Sequence, residues 1–223
     1  MIDLRNYAAK LKQNIGIGTD NVYEASYPYL IQANYRAGYF THYAGAGTVK
    51  SCKINFHGES TDLCLCRTLA KFDKKDNGDV VITANPVSVV LDDTEIKVQS
   101  IFTFKKGQGV LEVERKLLND NLEGVEFVEY ITAGFGVNEY QPDLVGATLS
   151  VDGQELEYAY KGRKLSGKDV AVTNVPQVQS RLEMRVEEGI VEAEEGIAFA
   201  PIYHLRARNY GGIKSWLKLA KGN

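Results

Sequence analysis

The sequence predicts a mainly β protein: an antiparallel two-sheet β-sandwich with a short helix at each end. Three observations lead there. Strand-like runs succeed one another roughly every ten residues, separated by turn signals with no helical pattern between them. Within the runs, apolar and polar residues alternate with the period of two that an extended chain imposes. Helical spacing is confined to the two ends. There is no Pro/Ser-rich linker, tandem repeat or low-complexity segment, and only five prolines interrupt 223 residues, so residues 1–223 read as a single domain.

The elements follow in order. Leu4, Tyr7, Ala8, Leu11 and Ile15 recur at steps of three and four, with Asp3 as N-cap and Gly16 as stop. They predict a helix over about residues 3–15. The first strands expected are Thr48–Phe56, Leu63–Phe72, Val80–Ala84, Glu95–Phe104, Val110–Leu117 and Val125–Thr132. Ala147–Val151, Glu155–Tyr160, Val170–Thr173, Val178–Val186, Ile190–Ala193 and Ile202–Arg208 come next. Asp152-Gly153 is the clearest hairpin, because a type I′ turn needs positive φ at both central positions. In Val110–Leu117 the set Leu111, Val113, Arg115, Leu117 opposes Val110, Glu112, Glu114, Lys116, so one face is core and the other wet. Ile213, Trp216, Leu217 and Ala220 predict a closing helix over about residues 212–220, docked through the only tryptophan.

Charge and cysteine usage narrow the function classes. Lys plus Arg number 26 against 29 Asp plus Glu, a net charge of −3. That balance lacks the dense cationic face of a nucleic-acid binder, so no nucleic-acid partner is expected. No apolar run approaches the roughly 20 residues of a membrane span, and Met1 to Tyr7 lacks the apolar stretch of a signal peptide. The three cysteines, Cys52, Cys64 and Cys66, are odd in number and form no closed disulfide set. A cytoplasmic protein without a membrane partner is therefore expected. A C-x-C pair with Cys52 and His57 could hold a soft metal, but period two places Cys64, Cys66, Thr68 and Ala70 on one strand face, where cysteine acts as a small hydrophobe. Neither a metal nor a cofactor is expected. Phosphate-loop, dinucleotide-binding, nucleophile-elbow and H-E-x-x-H motifs do not occur.

The most unusual stretch is Tyr23 to Tyr43, with Tyr23, Tyr27, Tyr29, Tyr35, Tyr39, Phe40 and Tyr43. It fits strand aromatics, which tyrosine's β propensity favours. It also fits a sugar-gripping surface of ring faces and hydroxyl rims, with Tyr29, Tyr35, Tyr39 and Tyr43 as contacts. Of three histidines, His57 is placed in a loop at a strand end; His42 lies among the aromatics and His204 in a late strand. Glu129 shares an apolar face with Val125, Phe127 and Ile131, and Arg115 is the charged exception on the strand before it. An Arg115–Glu129 cross-strand pair is either a structural ion pair or the lining of a pocket. Glu139 follows in an irregular loop.

Val113-Glu114-Arg115-Lys116-Leu117-Leu118-Asn119, then Val128-Glu129-Tyr130 leading to Gly134-Phe135-Gly136, resembles the central strands of galactose mutarotase-like supersandwich domains. The resemblance spans about residues 95–160 and implies a concave, sugar-binding sheet face. The histidine pair, late glutamate and "HPYF"-like strand of active aldose epimerases are not matched, so it carries over no catalytic residue. Supersandwich domains also occur as non-catalytic parts of sugar-cleaving enzymes.

The expected function is carbohydrate recognition, as an epimerase-like or glycoside-cleaving enzyme or as an accessory domain, with a small-molecule or oligosaccharide ligand. The alternative is a structural or assembly protein that uses its tyrosine-rich strand as an interface, and an oligomer fits either. For catalysis the candidates are His42, ranked first, or His204 as proton donor, and Glu129, ahead of Glu139, as base. Arg115 would orient the base, or the substrate if that is a sugar acid.

Overall fold

The computed structural model describes residues 30–31, 48–63, 66, 68–134, 146–159, 161–176, 180–195 and 202–221. In chain order the strands are β1 (Leu30–Ile31), β2 (Thr48–Phe56), β3 (Glu59–Asp62), β4 (Ala70–Lys74), β5 (Val80–Ala84) and β6 (Val87–Leu91). β7 (Thr94–Lys105), β8 (Val110–Leu117), β9 (Glu126–Gly134), β10 (Thr148–Val151), β11 (Gln154–Glu157) and β12 (Lys164–Gly167) follow. The last five are β13 (Val170–Val175), β14 (Ser180–Val186), β15 (Ile190–Glu195), β16 (Ile202–Tyr210) and β17 (Gly212–Lys221).

They form two antiparallel sheets. The seven-stranded sheet runs β1-β2-β9-β16-β15-β12, with β3 beside β1 along β2. The ten-stranded sheet runs β11-β10-β13-β14-β17-β8-β7-β5-β4, with β6 on β7. The sheets meet face to face: β17 lies against β9 and β16, β14 against β15 and β16, and β10 against β12 and β15. Alternation fills the space between them. Ile54, Phe127, Ile131 and Leu205 of one sheet pack with Val98, Val113, Leu182 and Leu217 of the other, all buried. Removing such side chains from water is the main force holding the layers together. The architecture is the expected antiparallel sandwich, and β2, β5 and β8 have the bounds read from the sequence.

The hairpins show what local chemistry does. Asp152 and Gly153 have φ of 48° and 81°, the expected type I′ geometry, and join Val151 to Gln154. His57-Gly58 makes the same kind of turn between β2 and β3, with φ of 46° and 87°. Asp92-Asp93 does so between β6 and β7 without a glycine. The strands β3, β6 and β12 escape sequence reading because they are short or abut such turns.

Two expectations need correction. Gly212–Lys221 is a strand, not a helix. Positions four apart share a face under both a period of two and a period of 3.6, so Ile213 and Leu217 fit either reading. Ser215, small and polar yet fully buried between them, hid the alternation. Trp216 consequently faces outward, with the Lys214 ammonium 5.1 Å from its ring centre. Leu63–Phe72 is not continuous strand either: Cys66 N–H bonds back to the Leu63 carbonyl and β4 starts only at Ala70. The shared face proposed for Cys64, Cys66, Thr68 and Ala70 is therefore not formed, and Cys64 itself lies outside the described residues. The expected helix over residues 3–15 also lies outside them. Among the described residues, no helix is long and apolar enough to cross a membrane.

Candidate functional site

The candidate site stands on the outward face of the seven-stranded sheet, where β9, β16 and β15 run side by side. Leu205 and Ala207 of β16 are buried against the other sheet, so His204, Arg206 and Arg208 point away from it. On β9, Phe127, Glu129 and Ile131 point inward, which leaves Glu126 and Tyr130 outward. Register sets Arg206 opposite Tyr130, and His204 opposite Glu194 on β15. Residues about seventy positions apart in the chain are thus brought within one hydrogen bond of each other.

The half-buried Tyr130 hydroxyl lies 2.5 Å from His204 Nδ1, and the two rings are within 9° of parallel with centroids 5.8 Å apart. The Arg206 guanidinium carbon lies 5.1 Å from the Tyr130 ring centre, a cation–π contact. Arg206 Nη1 donates to Glu194 Oε2 at 2.7 Å, and Lys164 Nζ of β12 is 3.3 Å from the other oxygen. A second group continues along the face: Arg208 Nη2 donates to Glu192 at 2.7 Å, and Asn55 Nδ2 of β2 donates to Glu126 at 2.7 Å.

Electrostatics set the protonation states. Burial, reinforced by the Arg206 and Lys164 charges and opposed by Glu194, holds the His204 imidazole below its ordinary value. It is therefore neutral at pH 7, and its Nδ1 shares one hydrogen bond with the Tyr130 hydroxyl whose donor is set by the ring tautomer. Burial works to raise the Glu194 carboxyl, but Arg206 and Lys164 outweigh it and keep the group ionised below the usual glutamate range. A planar aromatic surface, an imidazole N–H and an arginine fork thus converge on one patch.

The lowered His204 value has a stability consequence with a definite sign. The unfolded chain takes up a proton near 6.5 whereas the folded chain resists it until lower pH. His204 therefore contributes stability that is fully present above about 6.5 and is lost as pH falls through the folded value. Urea unfolding should show stability dropping between neutral and mildly acidic pH, and His204→Gln, whose uncharged amide can still hydrogen-bond the Tyr130 hydroxyl, should flatten that limb. An unchanged slope in the variant would contradict the assignment.

Of the residues singled out in the sequence, His204 is in this patch. Glu129 and Arg115 are not: they are 0% and 1% exposed, sealed between the sheets, with Arg115 Nε 2.5 Å from Glu129 Oε1. β8 and β9 belong to different sheets, so this is an inter-sheet bridge rather than the cross-strand pair expected. Glu129 and His204 lie on opposite faces of the seven-stranded sheet and share no site. His42, Glu139, Tyr29, Tyr35, Tyr39 and Tyr43 lie outside the described residues. His57 is exposed, in the β2–β3 turn, with Nδ1 2.7 Å from Asp92. Sequence reasoning missed Tyr130, Arg206 and Glu194. Their outward phase was readable from alternation, but the adjacency of β9, β16 and β15 was not.

No protein-family model matches the chain, and no curated protein matches its sequence. Among solved structures it is similar to Slr1438 protein from Synechocystis sp. PCC 6803, at 11% identity and TM-score 0.47, over 78% of each chain. It is similar to 4-alpha-glucanotransferase from Thermococcus litoralis at 10% identity and TM-score 0.47, over 78% of this chain but only 27% of that one. A third is the "Putative aldose 1-epimerase" of Escherichia coli K12, at 9% identity and TM-score 0.42, over 77% of this chain and 84% of that chain. The likeness is of fold alone.

Proposed function

We propose that this outward face binds carbohydrate, with Tyr130, His204 and Arg206 as its contacts. The observation that carries the reading is the Tyr130–His204 pair, two near-parallel rings joined by a 2.5 Å hydrogen bond and bordered by Arg206. A sugar ring has C–H faces that pack on flat aromatic surface and a rim of hydroxyls that need directed polar partners. The patch offers both within one strand spacing. Glu194, ionised and held by Arg206, adds an acceptor for a hydroxyl. The sheet scaffold fixes these groups before any ligand arrives, which lowers the ordering cost of binding.

Isothermal calorimetry with a panel of mono- and oligosaccharides tests the proposal. The protein should bind at least one sugar, and Tyr130→Ala should weaken that binding by about tenfold or more, roughly 1.4 kcal/mol, while its circular dichroism stays that of the parent. Absence of heat with every sugar, together with a stable oligomer in light scattering, would favour the assembly reading instead.

A further inference from the structure

We infer that the carbohydrate taken by this face is an uncharged oligosaccharide rather than a single sugar, laid along β16 from the Tyr130–His204 pair to a second contact at Tyr210 and Ile190. The inference rests on the carbohydrate reading and adds the length and charge class of the ligand. Its first basis is the second contact. Tyr210 follows His204, Arg206 and Arg208 at alternate positions of β16 and therefore points to the same outward side. It is 66% exposed. On β15, Ile190 stands opposite Arg208 and so lies diagonal to Tyr210, and it is 45% exposed. Exposed apolar residues scattered singly are ordinary on a protein surface. Here a large ring and a branched aliphatic chain adjoin, at the far end of the face that carries Tyr130.

Spacing sets the length. Register places Tyr130 opposite Arg206 and Glu126 opposite Tyr210, so the two tyrosines are offset by four residues of strand, about 13 Å at the rise of an extended chain. A single hexose ring is too short to touch both, whereas a linear trisaccharide reaches from one to the other. Among the described residues the contacts come from one sheet face, which covers a ligand on one side only, where a pocket would enclose most of it. Affinity on such a face grows with the number of contacts made along it. Charge sets the class. Arg206, Arg208 and Lys164 are matched by Glu194, Glu192 and Glu126 in ion pairs, and Lys53 of β2 stands opposite Asp62 of β3. This balance draws in an ion of neither sign. Between the two aromatic ends it offers donors and acceptors side by side, with Asn55 bonded to Glu126 among them. A sugar hydroxyl, which both donates and accepts, joins that network from either side.

Calorimetry of the full chain with glucose, galactose and mannose, and with the linear tri- and pentasaccharides of each, decides the matter. The expected result is that at least one trisaccharide binds about tenfold or more tightly than its own monosaccharide, and that its affinity stays level from low to high salt, because no charge pair is formed for salt to screen. Tyr210→Ala, a change at an exposed position whose circular dichroism should stay that of the parent, should bring the trisaccharide down toward the monosaccharide and erase the length preference. Tyr210→Phe, which keeps the ring, should retain most of it. A monosaccharide that binds as tightly as its trisaccharide, or a length preference that survives Tyr210→Ala, would overturn the inference and leave the carbohydrate reading standing. An affinity that falls steeply with salt would overturn the uncharged class. Binding of none of these sugars would overturn both readings.

Discussion

Replacing Arg115 by Met should cost about 3–5 kcal/mol of folding stability, because it strands a carboxylate in the core. Glu129 has a fully buried side chain, and Arg115 reaches it across the gap between the two sheets at 2.5 Å. The guanidinium also lies over the Phe102 ring, 4.9 Å from its centre, between the two sheets. Glu129→Leu should be comparably harmful for the mirrored reason. The informative variant is the double one, Arg115→Met with Glu129→Leu, which removes both charges and fills the space with carbon. It should recover most of the loss, since a buried ion pair and a well-packed apolar pair are often close in free energy. Urea denaturation of the four proteins gives the coupling directly. A double variant as unstable as the sum of the singles would show that the two charges do not act as a pair.

Glu195→Ala should be nearly as severe, at about 3 kcal/mol, again by breaking a buried charge–dipole arrangement. The Glu195 carboxylate, at the end of β15 and fully buried, accepts from the backbone N–H groups of Ala159, Lys161 and Arg163 and from the Arg163 side chain. It is a clasp that pins the segment between β11 and β12 to β15, and so sets where Lys164 enters the patch beside Glu194. Burial alone would raise this carboxyl, but Arg163 and the three backbone donors hold it below its ordinary value. The sign of its linkage follows: the contribution is complete above the ordinary glutamate value of 4.5 and disappears as pH falls through the lower folded value. Acid unfolding of Glu195→Gln, followed by circular dichroism, should begin from a lower stability and show a shallower dependence on pH in that window. A variant with parental stability would remove the clasp from the account.

How much was legible in the sequence depends on the range of the interaction. Alternation in β8 and β9 told which residues face the core, including the two charged ones, because side-chain direction in a strand is a local property. The turn at Asp152-Gly153 was legible for the same reason. Whether Arg115 and Glu129 meet within a sheet or between sheets was not, since that depends on which strands neighbour each other. β8 and β9 are consecutive in the chain yet belong to different sheets, which only the closing of the whole sandwich decides. His204 could be singled out as a titratable group on a wet strand face. Its partners could not, because Tyr130 comes from β9 and Glu194 from the other neighbour of β16. The final strand misled for a different reason: a fully buried serine broke the apolar alternation at the one position that separates the two periods.

The place of β17 in the ten-stranded sheet bears on how the chain reaches this structure. β17 lies between β14 and β8, and along the sheet it alone joins the block β4–β8 to the strands β10, β11, β13 and β14. Its partner β8 precedes it by roughly a hundred residues, a separation of the kind that slows folding because loop closure comes before its reward. During synthesis, β8 and β14 therefore wait with open edges until β17 has left the ribosome. Such edges template pairing with other chains. The late arrival of β17 makes the interval before its insertion the period in which the nascent protein depends most on protection from aggregation.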